Sequence, residues 1–346
     1  MNIISEAVVK ILMVLFINLT IVAYLILVER KVSAYIQNRI GPNRVGPWGL
    51  LQPLADIIKL FFKEDIVPAA SKKFIHSLAP IISVVVAFST FAVIPFGDKI
   101  TIFGTTYKLV IADVNVGLLI ILALTSLGVY GITLSGWASN NKYSLLGGLR
   151  SAAQMISYEL SLGISLIGVL MMTESLRLTQ IVEFQNGYIL GFIPKWNIFL
   201  QPLGFIIFLV ASFAETNRLP FDLPEAETEL VGGYHTEYSG MKFGLFFLAE
   251  YAAMITASAF IVTIYLGGWQ FPFVEYFNLS PFMLSLFQIG AFAFKVCLVL
   301  LFFIVIRWTI PRFRYDQLMN IGWKVMLPAS IANVILTAFL IYFNLL

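Results

Sequence analysis

Eight long apolar runs constrain this chain more than any other feature of its sequence. A helix that crosses the ~30 Å hydrocarbon core of a bilayer needs roughly 20 residues, because each residue adds about 1.5 Å. The eight runs of about that length are 11–28, 78–96, 116–134, 152–172, 198–214, 243–266, 282–306 and 325–345. They do not alternate apolar and polar residues as barrel strands do, so we predict an all-α polytopic membrane protein, a bundle of eight transmembrane helices.

The composition supports the same class of protein. Mean hydropathy is +0.89 and only 12% of the 346 residues are charged, which leaves more apolar surface than a soluble fold of this size can bury. The first run leads into a charged segment without a small-residue cleavage site, so we interpret it as a retained span. The chain shows no internal repeat and no low-complexity linker, and we predict a single integral membrane domain over residues 1–346.

The basic residues are concentrated in alternate connections between the runs. Segments 29–77, 135–151, 215–242 and 307–324, here called the inner segments, hold sixteen of the 22 Lys and Arg residues. By the positive-inside rule they face the cytoplasm of a bacterium or the matrix of a mitochondrion, and both chain ends face the other side. The formal net charge of +3 is too small to indicate a nucleic-acid partner.

Cysteine and histidine are scarce. The chain has one cysteine, Cys297, and two histidines, His76 and His235. Iron–sulfur clusters and Cys/His zinc sites need more such ligands, so we predict no metal site and no cofactor held by this chain alone. Cys297 falls within an apolar run, where we interpret it as a small buried hydrophobic residue.

The first inner segment contains an amphipathic pattern. After two Gly-Pro pairs, Gln52, Asp56, Lys59 and Lys63 recur at spacings of four, three and four residues, and apolar residues occupy the opposite side. We predict a helix that lies along the membrane surface. This helix either anchors the segment to the membrane or covers the entrance to a lateral cavity for a lipid-soluble ligand. In the second case, Asp56 is the candidate acid of the cavity.

Arginines stand where two of the inner segments meet the apolar runs. Arg30 and Arg39 lie in the first inner segment, and Arg307, Arg312 and Arg314 lie in the last. Arginines at helix ends anchor a span at the interface without any further function. The alternative is that they bind a polar head group or another subunit.

Three ionisable residues fall inside the apolar runs. They are Glu159, Glu250 and Lys295. An ionised side chain at mid-membrane costs roughly 2.5–3.5 kcal/mol on insertion scales, so these groups should face protein or water. They form either one internal ion pair that holds helices together or part of a relay of titratable groups. We favour the relay because acids outnumber their partners.

The third inner segment is rich in acids. The stretch FAETNRLPFDLPEAETELVGGYHTEY holds six of the nineteen carboxylates of the chain, namely Glu215, Asp222, Glu225, Glu227, Glu229 and Glu237. Asp222 and Glu225 resemble a capping box, which predicts a helix from Asp222 towards Gly232. Carboxylates four apart on a helix repel each other, and a low dielectric raises at least one pKa. The cluster therefore either handles protons or is a solvated face that docks a basic partner.

Four motifs together resemble one known family. ERKVSAYIQNRIGPNRVGPWGLLQPLADIIKLFFKED, GLRSAAQMISYEL, FAETNRLPFDLPEAETELVGGYHTEYSG and RWTIPRFRYDQLM occur in this order between the apolar runs. They closely resemble one membrane component of proton-pumping NADH:quinone oxidoreductase, respiratory complex I, whose mitochondrial counterpart is NADH dehydrogenase subunit 1. The resemblance covers all four inner segments and most spans, but the outer connection 173–197 carries no signature that we associate with the family.

The resemblance implies roles for particular residues. It implies a proton route through the carboxylates Glu159, Glu215, Glu225, Glu227, Glu229 and Glu250, with Asp56 connecting quinone to that route. It also implies a quinone cavity to which Arg30, Arg39, Asp56, Phe221, Glu225 and Arg307 contribute. The partners implied are the other complex I subunits of the hydrophilic and membrane arms, which carry FMN and the iron–sulfur clusters, together with a membrane quinone and the lipid bilayer. The location implied is a bacterial inner membrane, in preference to a mitochondrial one.

Two other functions remain open at this point. The chain resembles, less fully, the homologous membrane subunit of an energy-converting hydrogenase, which uses no quinone. A stand-alone ion channel or carrier belongs to a different class of protein, and it would function as a purified monomer. A purely structural anchor is disfavoured by the ionisable residues within the spans.

Overall fold

The fold is built almost entirely from helices. The computed structural model describes residues 3–102, 104–189, 191–224, 227–274 and 280–343. In these residues the α-helices are α1 (Ile3–Ile36), α2 (Gln52–Phe62), α3 (Lys73–Ser89), α4 (Gly117–Ala138), α5 (Lys142–Thr173), α6 (Leu178–Phe184), α7 (Asn197–Leu200), α8 (Pro202–Glu215), α9 (Glu227–Leu230), α10 (Gly240–Tyr265), α11 (Pro281–Thr309), α12 (Tyr315–Asn320) and α13 (Leu327–Tyr342). The predicted all-α class is confirmed.

Short elements complete the connections. A π-helix, Ile321–Met326, joins α12 to α13 without a break. Two small antiparallel hairpins lie in the outer connections and pair β1 (Lys99–Ile102) with β2 (Thr105–Lys108) and β3 (Tyr188–Ile189) with β4 (Ile193–Pro194).

Seven helices in the described part of the chain are long and apolar enough to cross a membrane. They are Ile4–Ile36, Lys73–Ala92, Gly117–Ala138, Lys142–Thr173, Gly240–Tyr265, Pro281–Thr309 and Tyr315–Tyr342. Each coincides with one of the predicted apolar runs. The chain is therefore a multi-pass membrane protein.

The remaining predicted span, 198–214, is not one continuous helix. It begins in the four-residue α7, breaks at Gln201, and continues as α8, which has 14 residues. A 14-residue helix is about 21 Å long, short of the ~30 Å hydrocarbon core. Pro202 disfavours helical geometry at the residue before it, which explains the break. The described residues thus contain seven long membrane helices and a shorter apolar helix, α8, at the position of the remaining predicted span.

Helix α10 forms the centre of the bundle. In its most apolar stretch 67% of the residues are buried, compared with 22% for α1 and for the span Tyr315–Tyr342. Helices α3, α8 and α11 pack directly against α10, and α4 and α5 pack beside them. Close helix packing in a membrane depends on small residues, and a Cβ atom on Gly136 of α4 would lie only 2.5 Å from the carbonyl oxygen of Ser144 of α5.

The four inner segments meet at one end of the bundle. Asp65 of the first segment forms an ion pair with Lys242 of the third, at 3.0 Å. The amide nitrogen of Lys72 donates to the carbonyl of Ala138 in the second segment at 3.0 Å. The amide nitrogen of Phe313 in the last segment donates to the carbonyl of Pro220 in the third, at 3.2 Å. Segments that are far apart along the chain therefore form one continuous surface.

Two predictions about exposure have different outcomes. The amphipathic helix is confirmed as α2, whose side chains Leu54, Ile57 and Phe61 are all exposed for contact with lipid or a partner. Cys297, in contrast, is exposed on α11, so its interpretation as a buried residue is wrong. Periodicity did not assign it to a face, because α11 is apolar on all sides.

Candidate functional site

A buried acid, Glu29, lies near the inner end of α1. It is 4% exposed and continues the buried side of that helix, which also includes Asn18, Val22, Leu25 and Ser33. These residues are separated by three or four positions, so they fall on one face. Glu29 was not among the residues selected from the sequence, although this spacing would have distinguished it from the exposed Arg30 beside it.

Three other residues surround the Glu29 carboxylate. The Tyr251 hydroxyl of α10 donates to Oε2 at 2.7 Å, and Nη1 of Arg218 donates to both carboxylate oxygens at 3.3 Å. Nη1 of Arg307, at the inner end of α11, donates to Oε1. Hydrogen bonds from two cations favour the ionised form of an acid even where burial opposes it. We call Glu29, Arg218, Glu250, Tyr251 and Arg307 the charge network.

Arg218 connects two acids within this network. It is 2% exposed, and its Nε lies 2.7 Å from Oε1 of Glu250, while its Nη1 contacts Glu29. The Tyr251 ring centroid lies 4.2 Å from its guanidinium carbon. Burial disfavours the charge of Arg218, but Glu250, Tyr251 and Glu29 outweigh this effect and hold its pKa above the usual value. Arg218 is therefore a permanent cation shared by Glu29 and Glu250.

Asp222 joins the third inner segment to the last. Its Oδ2 lies 2.8 Å from Nη2 of Arg312, which also donates to the Asp222 carbonyl at 2.5 Å. Burial raises the pKa of Asp222 to about 6, although Arg312 acts in the opposite direction. Residues 222–224 are not helical, and the described part of the short helix α9 begins at Glu227. The Asp222 side chain binds an arginine from a distant segment, and Glu225, its predicted partner in a capping box, lies outside the described residues.

A mainly apolar cavity that contains a few polar groups lies beside the charge network. It has a volume of about 110 Å³ and is lined by residues of α3, α4, α5, α8 and α10. Glu215 and Glu250 line it, and so do the hydroxyl groups of Thr125, Thr90 and Thr256, the last two 3.0 Å apart. One water needs roughly 10–15 Å³ of such space and several polar partners, so any water in this cavity is expected at its few polar groups, beside Glu215 and Glu250.

Glu159 lies next to this cavity without lining it. It is partly exposed on α5, and Ser126 of α4 donates a hydrogen bond to its Oε1. Glu215 interacts with the Thr125 hydroxyl, and its charge also interacts with that of Glu159. Glu250 and Glu215 therefore line one cavity, and Glu159, which interacts with Glu215, is partly exposed at the surface of the bundle.

Asp56 and the two predicted arginines of the first segment lie elsewhere at the inner end. Nη1 of Arg30 lies 2.6 Å from Oδ2 of Asp56, and Nε2 of Gln52 donates to Oδ1 at 2.9 Å. This ion pair ties α2 to the end of α1. Arg39 makes a local bond, from its Nε to Oε1 of Gln37 at 2.7 Å. The structure does not bring Arg39 into the charge network.

The other predicted acids of the third segment have separate surroundings. Glu229 pairs with Arg150 of α5 at 2.6 Å and is exposed, while Glu237 accepts from Nδ2 of Asn141 at 2.5 Å. Glu225 lies outside the described residues, and of Glu227 the structure describes only its backbone in α9. Burial lowers the pKa of His235 to about 4, so this histidine is neutral at physiological pH and does not offset the acids around it.

Two further residues have surroundings that the sequence did not suggest. Phe221 is buried with its ring against Tyr158 and Phe313, at centroid distances of 5.4 and 5.5 Å. Lys295 does not pair with Glu250, and its ammonium group instead donates to three carbonyls beyond the end of α10, including that of Leu266 at 2.6 Å. The Trp196 ring centroid lies 4.2 Å from the same ammonium group.

Comparison with known proteins identifies the family. The sequence model described as NADH dehydrogenase matches residues 9–338. The chain belongs to the NADH dehydrogenase family.

Curated relatives agree with this assignment. An NADH-quinone oxidoreductase subunit from Salinibacter ruber is 54% identical over 322 residues, which is 91% of this chain and 90% of the relative. NADH-quinone oxidoreductase subunit 8 of Rhodothermus marinus is 55% identical over 323 residues, 91% of each chain. An NADH-quinone oxidoreductase subunit from Geobacter metallireducens is 52% identical over 332 residues, covering 96% of this chain and 95% of the relative. The resemblance found in the four motifs is thus confirmed over nearly the whole chain.

Proposed function

We propose that this chain is the bacterial counterpart of NADH dehydrogenase subunit 1 in an NADH:quinone oxidoreductase of the inner membrane. It forms the cavity through which a membrane quinone enters, and its buried acids form the first route that couples quinone reduction to proton translocation. Electrons reach the quinone from FMN and iron–sulfur clusters of partner subunits. Family membership and the names of the relatives support the enzyme complex, and they favour a quinone enzyme over the hydrogenase component.

The observation that carries the coupling role is the position of Arg218 between two acids. Its guanidinium contacts Glu29 at 3.3 Å and Glu250 at 2.7 Å, and Glu250 lines the cavity. Two charges about 4 Å apart interact by about 4 kcal/mol at an effective dielectric constant of about 20. A change of charge near Glu29 therefore alters how strongly Arg218 holds Glu250, and with it the affinity of Glu250 for a proton.

The chemistry follows from charge balance. Reduction adds negative charge to a quinone, and protons must follow. A quinone held by the first, third and last inner segments lies beside the charge network, because Glu29, Arg218 and Arg307 come from those three segments. The Arg30–Asp56 pair links α2 to the end of the same helix that carries Glu29. The added charge then favours protonation of Glu250, and the proton passes through the cavity by way of Glu215 towards Glu159.

Glutamine substitutions test this route. We expect Glu215→Gln and Glu159→Gln each to lower NADH-driven proton pumping by roughly tenfold or more, because an amide keeps the size of the side chain but neither binds nor releases a proton near neutral pH. Proton uptake and NADH oxidation are measured together on the assembled complex in sealed vesicles. Loss of pumping with retained assembly supports the route.

A third variant measures how far the route extends. Glu229 also belongs to the acidic cluster, but it is exposed and paired with Arg150. The resemblance implies that Glu229 is part of the route, so reduced pumping by Glu229→Gln would extend the route to the inner surface. Full pumping by both Glu215→Gln and Glu159→Gln would overturn the proposed route.

A further inference from the structure

Two adjacent hydroxyl residues of α4 lie between Glu215 and Glu159. Neighbouring helix residues point about 100° apart, so Thr125 and Ser126 present their side chains to different neighbours. Thr125 lines the cavity together with Glu215 and interacts with its carboxylate. Ser126 binds Oε1 of Glu159 on α5. Glu159 itself does not line the cavity, so adjacent hydroxyls of α4 contact one acid inside the cavity and one outside it.

Each hydroxyl has one proton to donate and two possible acceptors, a glutamate and a backbone carbonyl. Thr125 Oγ1 lies 3.0 Å from the carbonyl oxygen of Leu122, and Ser126 Oγ lies 2.8 Å from the same oxygen. A hydroxyl group carries one proton and two lone pairs, so it donates either to this carbonyl or to its glutamate. When the glutamate is ionised, the hydroxyl donates to it. When the glutamate is protonated, the acid donates to the hydroxyl oxygen and the hydroxyl proton turns to Leu122.

We propose that Thr125 and Ser126 are positioning residues of the proton route, a pair of hydroxyl switches that link the protonation of Glu215 in the cavity to that of Glu159 at the bundle surface. Each hydroxyl keeps its own proton and changes only the acceptor that it faces. The shared Leu122 carbonyl accepts from both, so the two orientations influence each other. This inference rests on the proposed function, because it assigns new residues to the same route.

Other charged groups near the switch are few in the described residues. Glu215 interacts with the charge of Glu159, and Glu250 lines the same cavity from α10. The cations of the inner end, Arg218 and Arg307, are bound to Glu29 and Glu250. Hydroxyl donors are therefore the neutral groups that stabilise the ionised forms of Glu215 and Glu159.

Hydroxyl deletion and hydroxyl retention are compared to test the switch. The deletion variants are Thr125→Val, Ser126→Ala and the double variant, and the retention variants are Thr125→Ser and Ser126→Thr. Thr133→Val is the matched control, because Thr133 also lies on α4 but its hydroxyl donates to the Val129 carbonyl at 2.9 Å within the helix. Each variant is measured in the assembled complex in vesicles, with proton uptake and NADH oxidation followed over a series of pH values.

We expect the deletion variants to lower the pumping rate roughly tenfold at neutral pH and to move its pH profile up by about one unit, because an ionised carboxylate loses a strong hydrogen bond. The retention variants should keep the wild-type profile, and so should Thr133→Val. A purely structural role would reduce assembly without moving the pH profile, and that outcome overturns the proposal.

The glutamate variants distinguish a failure of the switch from a failure of the route. If Glu215→Gln and Glu159→Gln abolish pumping but all hydroxyl variants pump as the wild type does, the switch is wrong and the route stands. If the glutamate variants pump fully, both the route and the switch are wrong. A shifted pH profile in Ser126→Ala would then reflect another function of Glu159.

Discussion

Replacing Arg218 with methionine is expected to destabilise the protein by about 3–5 kcal/mol, the typical cost of removing one partner from a buried ion pair. Methionine fills a similar volume without a charge. Glu29 would keep Arg307 and Tyr251, but Glu250 would lose the cation whose Nε lies 2.7 Å from its carboxylate. The midpoint of thermal inactivation of the solubilised complex, together with the yield of assembled complex, measures this effect.

The same substitution at the surface is the control. Arg150→Met removes an exposed ion pair with Glu229, which contributes at most about 1 kcal/mol. In addition, Arg218→Met combined with Glu250→Gln should recover part of the lost stability, because the second change removes the unpaired charge. If the double variant were as unstable as Arg218→Met alone, uncompensated charge would not be the cause of the instability.

Replacing Gly147 with alanine is expected to cost about 1–3 kcal/mol and to displace the acidic third segment from α5. A Cβ atom at this position would lie 2.7 Å from the backbone nitrogen of Tyr234 and 2.9 Å from two backbone atoms of Gly233. Backbone atoms cannot rotate away as side chains can, so one of the two elements must move. We expect lower thermal stability and weaker coupling of pumping to NADH oxidation.

Gly163→Ala is the matched control on the same helix. Apart from its own helix turn, no atom of the described residues lies within 4 Å of a Cβ built at Gly163, and alanine favours helix by about 0.5–1 kcal/mol relative to glycine. This variant should be as stable as the wild type or slightly more so. Equal stability of the Gly147 and Gly163 variants would show that the contact between α5 and residues 233–234 is looser than the structure indicates.

Much of the fold could be predicted because it depends on local patterns. Long apolar runs specify membrane helices, and the spacing from Gln52 to Lys63 specified the amphipathic helix α2. The break at Gln201 could also have been predicted, since Pro202 follows it. Periodicity could not assign the exposed face of α11. When a helix is apolar on all sides, its sequence does not indicate which side contacts lipid.

The candidate site was only partly predictable. Glu159 and Glu250 were selected because acids are rare in apolar helices, and Glu215 because it belongs to the acidic third segment. The structure brings all three to one cavity or next to it. Glu29 and Arg218 were missed, since charged residues at the ends of spans usually mark the interface. Only burial distinguishes a charged residue of the site from one that marks the interface. Burial depends on which helices pack around the residue.

The sequence by itself determined the class of protein, its spans, its family and the acids available for proton transfer, because these depend on composition, on runs of neighbouring residues and on long motifs. The tertiary structure alone decided how those acids are paired. Arg218 could have bound any of several carboxylates, and Asp222 could have capped a helix. Contacts between residues far apart in the chain depend on helix packing, so Glu29 meets Arg307 only once α1 and α11 lie side by side.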